Sequence, residues 1–294
     1  MKAQHVRRLA GIGMAVGILS WGITASATSI NAMNYHAYGA NIGWINARGD
    51  VVSGAVIGQF YSTGYLYGAN VGWISLGSGM PANGYEYANN SAGDWGVNHN
   101  GSGGLRGLAY GANIGWINFE DTGDPRVDLM TGKLSGYAYS ANVGWISLSN
   151  NQAYVETAYL DWGPDTDGDG IPDAWEYMMV GDLTTLGPYP ADADNNGFPD
   201  LYEFYADTNP TNPASKLVIT DLDLSTPTNV VTWTIQPTRL YRVEMADAMT
   251  NNAVWVDSGY GVITPDPAAT MTLDVVNTND MQFFRARAIV PLAP

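Results

Sequence analysis

The chain of 294 residues contains no cysteine. Outside the cytoplasm it must therefore be held together by core burial, sheet hydrogen bonds or bound ions, because disulfides are not available. A cysteine nucleophile is excluded for the same reason. Histidine is scarce, with three in all, and positive charge is short: 12 Lys and Arg stand against 28 Asp and Glu, a formal charge of -16. A surface of that sign repels phosphate backbones, so nucleic acid is not an expected partner. Beyond the first 27 residues no apolar run approaches the ~20 residues that a membrane helix needs.

Those first 27 residues read as an export signal: Lys2, Arg7 and Arg8 start it, Leu9 to Ile23 form an apolar core, and Ala25-Ser26-Ala27 offers a small-residue cleavage site. Removing residues 1–27 takes away three basic residues and no acid, and the formal charge moves from -16 to -19. The expected location is secreted, extracellular or at the cell surface. About 265 residues remain, enough for two or three domains. With 35 Gly, 18 Tyr and 10 Trp, their composition favours turns and sheets over helical bundles, so the expected class is mainly β.

One octamer recurs: GANIGWIN from Gly39, GANVGWIS from Gly68, GANIGWIN from Gly111 and SANVGWIS from Ser140. Its tryptophans, Trp44, Trp73, Trp116 and Trp145, lie 29, 43 and 29 residues apart. The array is therefore a pair of units duplicated, with an insertion near Gly77 to Gly103. Each unit reads as a three-strand meander, with Asn41, Asn70, Asn113 and Asn142 shaping turns and each Trp covering the next unit. A unit this small cannot bury a core alone, so residues 28–160 are expected to form one repeat-built antiparallel sheet domain. If Tyr38, Tyr67, Tyr110, Tyr139 or the tryptophans instead face outward, they form an aromatic row suited to sugar rings. The octamers resemble tryptophan-containing GWI repeats of secreted bacterial proteins, a resemblance that supplies a setting and no activity.

The sharpest chemical signal is DTDGDGIPDAWE from Asp165 and DADNNGFPDLYE from Asp192. Ca²⁺ is a hard cation that takes six to eight oxygens, and a twelve-residue loop delivers them from positions 1, 3, 5, 7, 9 and 12 around a Gly at position 6. The first loop places Asp165, Asp167, Asp169, Asp173 and Glu176 at the side-chain positions and Ile171 at the backbone carbonyl. The second places Asp192, Asp194, Asn196, Asp200 and Glu203 likewise, with Phe198 as the carbonyl. After each loop, apolar residues at i, i+3 and i+4 (Trp175, Met178, Met179; Leu201, Phe204, Tyr205) predict a short amphipathic helix. Loop and helix together resemble the EF-hand-like calcium repeats of thrombospondin type 3 and dockerin modules. Residues 161–215 are thus expected to be a short calcium loop-helix connector.

From Lys216 onward, LVITDLDL, NVVTWTIQ, RLYRVEMA, AVWVDSG, TMTLDVV and QFFRARAIV are six β-rich runs separated by turn residues, the spacing of a small β-sandwich over 216–294. WTIQPTRLYRVE and FFRARAI resemble fibronectin type III-like modules, and Trp233, Tyr241 and Phe284 are the expected core.

Catalytic machinery is thin. His36 has no acid beside it in sequence, His99 sits in the Gly/Asn-rich stretch GVNHNGSGG that reads as a turn, and Glu86, Asp94, Glu120 and Asp121 show no spacing that recommends a carboxylate pair. The reading is an exported, non-catalytic, calcium-binding structural or adhesive protein of the cell surface or extracellular matrix. The alternatives are a carbohydrate-binding protein using the repeat aromatics and, third, a polysaccharide hydrolase. Implied partners are surface polysaccharide, other surface proteins or further copies of the chain, with Ca²⁺ as the only cofactor.

Overall fold

A computed structural model describes residues 28–49, 52–224, 228–250, 253–265, 268–276 and 282–294; the export-signal reading lies outside them. The described chain divides into two compact units, residues 28–185 with 291–294, and residues 186–290. The first loop and its helix fall in the first unit and the second loop and helix in the other.

The first unit contains β1 (Ile30–Gly39), β2 (Gly43–Asn46), β3 (Tyr65–Gly68), β4 (Gly72–Ser75), β5 (Val97–His99), β6 (Leu105–Gly111), β7 (Gly115–Phe119), β8 (Arg126–Val127), β9 (Leu134–Ser135), β10 (Tyr137–Ser140), β11 (Gly144–Ser147), β12 (Val155–Thr157) and α1 (Asp173–Met179). Eight of these strands pair in the order β11-β10-β7-β6-β4-β3-β2-β1, and β11 pairs with β1. The sheet closes into an antiparallel barrel of four hairpins, one for each copy of the octamer. Closure leaves no sheet edge in the ring, so four units that lack a core individually share one inside it.

The octamer is the hairpin tip. Strands end in register at Gly39 opposite Gly43, and Ile42 N–H donates to Gly39 O at 3.1 Å. This is the three-residue loop in which a tight turn is followed by a left-handed residue. Gly43, at φ +77°, fills that place because a β-carbon would be strained there. Ile42 then folds back over the barrel end, so close that a β-carbon on Gly39 would lie 2.6 Å from it.

The asparagines do more than shape turns. Asn41 Nδ2 donates to Val143 O, Asn70 Nδ2 to Ile42 O, Asn113 Nδ2 to Val71 O and Asn142 Nδ2 to Ile114 O, at 2.9 to 3.1 Å. Each unit thereby hooks onto the one before it, and the first hooks onto the last. A closed ring of four such bonds requires the same asparagine in every copy.

One expectation is corrected. Each unit gives the barrel two strands and not a three-strand meander. In the last copy the stretch before the hairpin pairs separately as β8 with β9, and the chain turns at Gly136 before β10. The tryptophans lie outside the barrel core, where Trp73 and Trp145 pack on the connections that leave the preceding hairpins, at Gly49 and Gly123. Strand alternation aims Ala37, Ile45, Ile74, Ala109, Ile117, Ala138 and Ile146 into the buried interior, which sends Trp44, Trp73, Trp116 and Trp145 outward. The interior leaves a void of only about 30 Å³ lined by apolar residues, far short of the few hundred Å³ of a ligand pocket. The barrel is a packed core and not a ligand chamber.

His99, on β5, is structural. Its ring is buried, with Nδ1 3.0 Å from Gln59 O and Nε2 3.1 Å from Gly103 N–H. The neutral tautomer protonated at Nδ1 satisfies both contacts, donating to the carbonyl and accepting from the amide. Burial lowers its pKa to about 4, below the ordinary 6.5 of an unfolded chain. The stability it carries is therefore complete above pH 6.5 and is lost as pH falls towards 4, because the unfolded chain takes up the proton first. The gap corresponds to ~3 kcal/mol. Urea unfolding of the native chain and of His99→Gln at several pH values should show the native chain losing about that much more between pH 7 and pH 4; parallel curves would remove histidine from the account.

The second unit contains α2 (Asp200–Ala206), β13 (Ile219–Leu224), β14 (Thr228–Thr234), β15 (Leu240–Ala246), β16 (Val256–Asp257), β17 (Thr270–Val276) and β18 (Phe283–Ile289). Its six strands form two three-stranded sheets, β13-β14-β17 and β16-β15-β18, as the six runs predict. Trp233, Tyr241 and Phe284 are buried between them with Val231, Val243 and Val275. The buried Arg239 ties α2 to this sandwich, donating from Nη2 to Phe204 O at 2.7 Å and from Nε to Tyr205 O at 2.9 Å. A cation at the helix C-terminus also meets the negative end of the helix dipole.

Candidate metal centre and the outer aromatic belt

Both helices begin where the loops require. Pro172 and Pro199 precede α1 and α2, and Asp173 and Asp200 open them. Proline suits a helix start because its φ is preset and no amide donor is wasted. One turn in, Glu176 and Glu203 face back towards the loop.

In the first loop the carboxylate oxygens of Asp165, Asp167 and Asp169 lie within 4.8 Å of one another. Asp165 accepts from Gly168 N–H at 2.8 Å and Gly170 N–H at 3.0 Å, and Asp169 accepts from Ile171 N–H at 2.7 Å. These bonds curl the loop around its own acids. Glu176 is fully buried, at 0 % exposure, and neither of its carboxylate oxygens has a hydrogen-bond partner among the described residues. Burial, together with Asp169, Asp167, Asp173 and Asp165, pushes its pKa up to about 8. A desolvated carboxylate among four other acids is one that a bound cation would stabilise.

The second loop follows the same plan with one difference. Asp192 accepts from Gly197 N–H at 2.9 Å and Asp194 from Asn196 N–H at 2.9 Å. Glu203 is 1 % exposed, and its Oε2 has no partner. Its Oε1 accepts from Thr208 Oγ1 at 3.1 Å and Asn196 Nδ2 at 3.5 Å. Burial raises the Glu203 pKa to about 8 despite those bonds. The Asn196 amide here turns its donor to the acids and its Oδ1 to Phe198 N–H at 2.8 Å, so a cation would require that amide to rotate.

The residues at position 9 also hold the loops together. Asp173 Oδ1 accepts from Thr166 N–H at 2.7 Å and Oδ2 from Thr166 Oγ1 at 2.5 Å. Asp200 accepts from Ala193 N–H at 2.8 Å and Gly187 N–H at 3.2 Å. Each staples the start of its loop to the start of its helix. Ile171 is buried and Phe198 half-buried. Thr166, Thr208 and Arg239, which support these loops, carry no offset that a sequence motif would reveal. Asp94 is also structural, holding Ala82 N–H and Ala88 N–H.

On the barrel exterior, each Trp pairs with the Tyr across its own hairpin. Tyr38–Trp44, Tyr67–Trp73, Tyr110–Trp116 and Tyr139–Trp145 have ring centroids 4.9 to 5.0 Å apart. The four tryptophans are 43 to 47 % exposed. Beside each Tyr, on the adjoining strand of the next hairpin, sits a small polar residue: Ser147 by Tyr38, Asn46 by Tyr67, Ser75 by Tyr110 and Asn118 by Tyr139. Among the described residues no helix is long and apolar enough to cross a membrane. No family, curated protein or solved structure matches the chain.

Proposed function

We propose that this is an exported, non-catalytic structural or adhesive protein of the cell surface or extracellular matrix, whose two acidic loops each bind one Ca²⁺. The observation that carries the calcium reading is Glu176, fully buried with two partnerless oxygens beside three converging aspartates. Hard oxygen donors in that number suit calcium and exclude the softer metals that seek sulfur or imidazole. In the first loop Asp165, Asp167, Asp169 and Glu176 would hold the ion, and in the second Asp192, Asp194, Asn196 and Glu203. The carbonyls of Ile171 and Phe198 would complete each set. The ion neutralises charge and fixes each helix on its own unit, which is a structural role. The -16 formal charge and the export signal agree with a setting where calcium is plentiful.

Isothermal titration of the mature chain with CaCl₂ should give a stoichiometry of two. Glu176→Gln and Glu203→Gln should each reduce it to one while the circular dichroism spectrum stays native. Heat of binding that is absent at millimolar calcium would overturn the reading.

A further inference from the structure

We infer that the aromatic belt of the barrel is a binding surface for a neutral polysaccharide chain. The inference rests on the barrel alone and is independent of the calcium reading.

Four observations carry it. The tryptophans are alike in exposure and in pairing with the facing Tyr across all four hairpins, and each keeps over two fifths of its surface in solvent even where Trp73 and Trp145 pack on Gly49 and Gly123 and Trp116 on Trp95. Half-exposed Trp repeated four times is a large apolar area to leave in water. The belt carries no charge: on each of the eight strands, the two outward positions nearest the hairpin tip hold only aromatic, Leu, His, Asn or Ser residues. In a chain with 28 acids, an uncharged ring points to an uncharged ligand. Finally, each Tyr–Trp pair is flanked by an Asn or Ser. Aromatic faces take the C–H faces of pyranose rings; the Ser75 and Ser147 hydroxyls already donate to Gly77 O and Ser149 O and Asn46 Oδ1 accepts from Arg48 N–H, so sugar hydroxyls would meet the asparagine Nδ2 donors and the serine lone pairs.

Other occupants fit less well. A lipid surface would need apolar tips to insert, and the tips here are Ala-Asn pairs (Ala40-Asn41 and its copies). Successive platforms are two strands apart in a closed ring of eight, so they face outward about a quarter turn from one another. Each platform therefore engages its own stretch of a polymer network, and up to four such weak contacts add as avidity.

The test uses the full mature chain at saturating calcium, so that loss of sugar binding and loss of metal binding are read apart. Probes are xylan, hydroxyethyl cellulose and mannan in affinity electrophoresis, with polygalacturonate, heparin and phosphatidylglycerol vesicles as contrasts. At least one neutral polymer should retard the protein. Replacing all four tryptophans (Trp44→Leu, Trp73→Leu, Trp116→Leu and Trp145→Leu) keeps an apolar β-former but loses the flat face. Affinity should fall roughly two- to ten-fold for each platform removed. Should that variant misfold, oxidation by N-bromosuccinimide on the native chain replaces it: mass spectrometry should show Trp44, Trp73, Trp116 and Trp145 protected by the polymer. Absence of retardation by any neutral polymer, binding of vesicles or polyanions alone, self-association that buries the belt, or unprotected tryptophans would each overturn the inference.

Discussion

Chelating calcium should loosen both loop-helix segments while leaving the barrel and the sandwich folded. Without metal, the first loop holds five carboxylates and the second four, and their repulsion opposes the closed turns. With metal, each site adds a mass-action term of ~2.7 kcal/mol at a free calcium one hundred times the dissociation constant. Extracellular calcium would fill even sites of ~10⁻⁴ M. What a bound ion would secure is local: α1 buries Trp175, and α2 buries Phe204 and Ala206 under the Arg239 clamp. The two loops should respond unequally. Glu176 has no protein donor to replace a lost ion, whereas Glu203 keeps Thr208 and Asn196, and the Arg239 clamp on α2 does not depend on metal. Hydrogen exchange after addition of EDTA should therefore show faster amides over 165–179 than over 192–206, with β-strand amides unchanged. Limited proteolysis should cut the first segment sooner. An exchange map identical with and without EDTA would end the case for either site.

How much of this was legible beforehand depended on how local each signal is. The loops could be proposed residue by residue because a twelve-residue motif sets its candidate ligands at fixed offsets. The sandwich strands were legible because their apolar residues alternate with polar ones, as in NVVTWTIQ, where Val231 and Trp233 alternate with threonines. The barrel was legible as a repeat but not as a ring. In AYGANIGWI both strand faces are apolar, Ala37 and Ile45 on one and Tyr38 and Trp44 on the other. Period-two hydrophobicity therefore could not say which face was inside. Volume decides it, since a closed eight-stranded barrel has room for Ala and Ile and not for four indoles. The asparagine hooks were misread because their partners lie 28, 42, 28 and 102 residues away. Arg239 was invisible for the same reason, its partner Phe204 being 35 residues upstream.

The sidedness of the barrel sets the remaining prediction, a reversal of the usual size order in alanine substitution. Ile74 is 0 % exposed and lies among the inward Ile and Ala residues of neighbouring strands, which are fixed by closure and cannot collapse onto a hole. Ile74→Ala should cost ~2 to 5 kcal/mol, the transfer term plus the cavity left behind. Trp116 is the larger side chain but is 47 % exposed. Its removal forfeits part of its buried area and its contacts with Tyr110, at 4.9 Å, and Trp95, at 5.1 Å, which together are worth ~1 to 2 kcal/mol. Urea unfolding followed by far-ultraviolet circular dichroism, in calcium, should rank Ile74→Ala well below Trp116→Ala in stability. The equivalent pair Ile45→Ala and Trp44→Ala should repeat the ranking, because the two copies occupy the same place in the ring. A Trp116→Ala variant as unstable as Ile74→Ala would put the indoles in the core and take away both the belt and the polymer surface inferred from it.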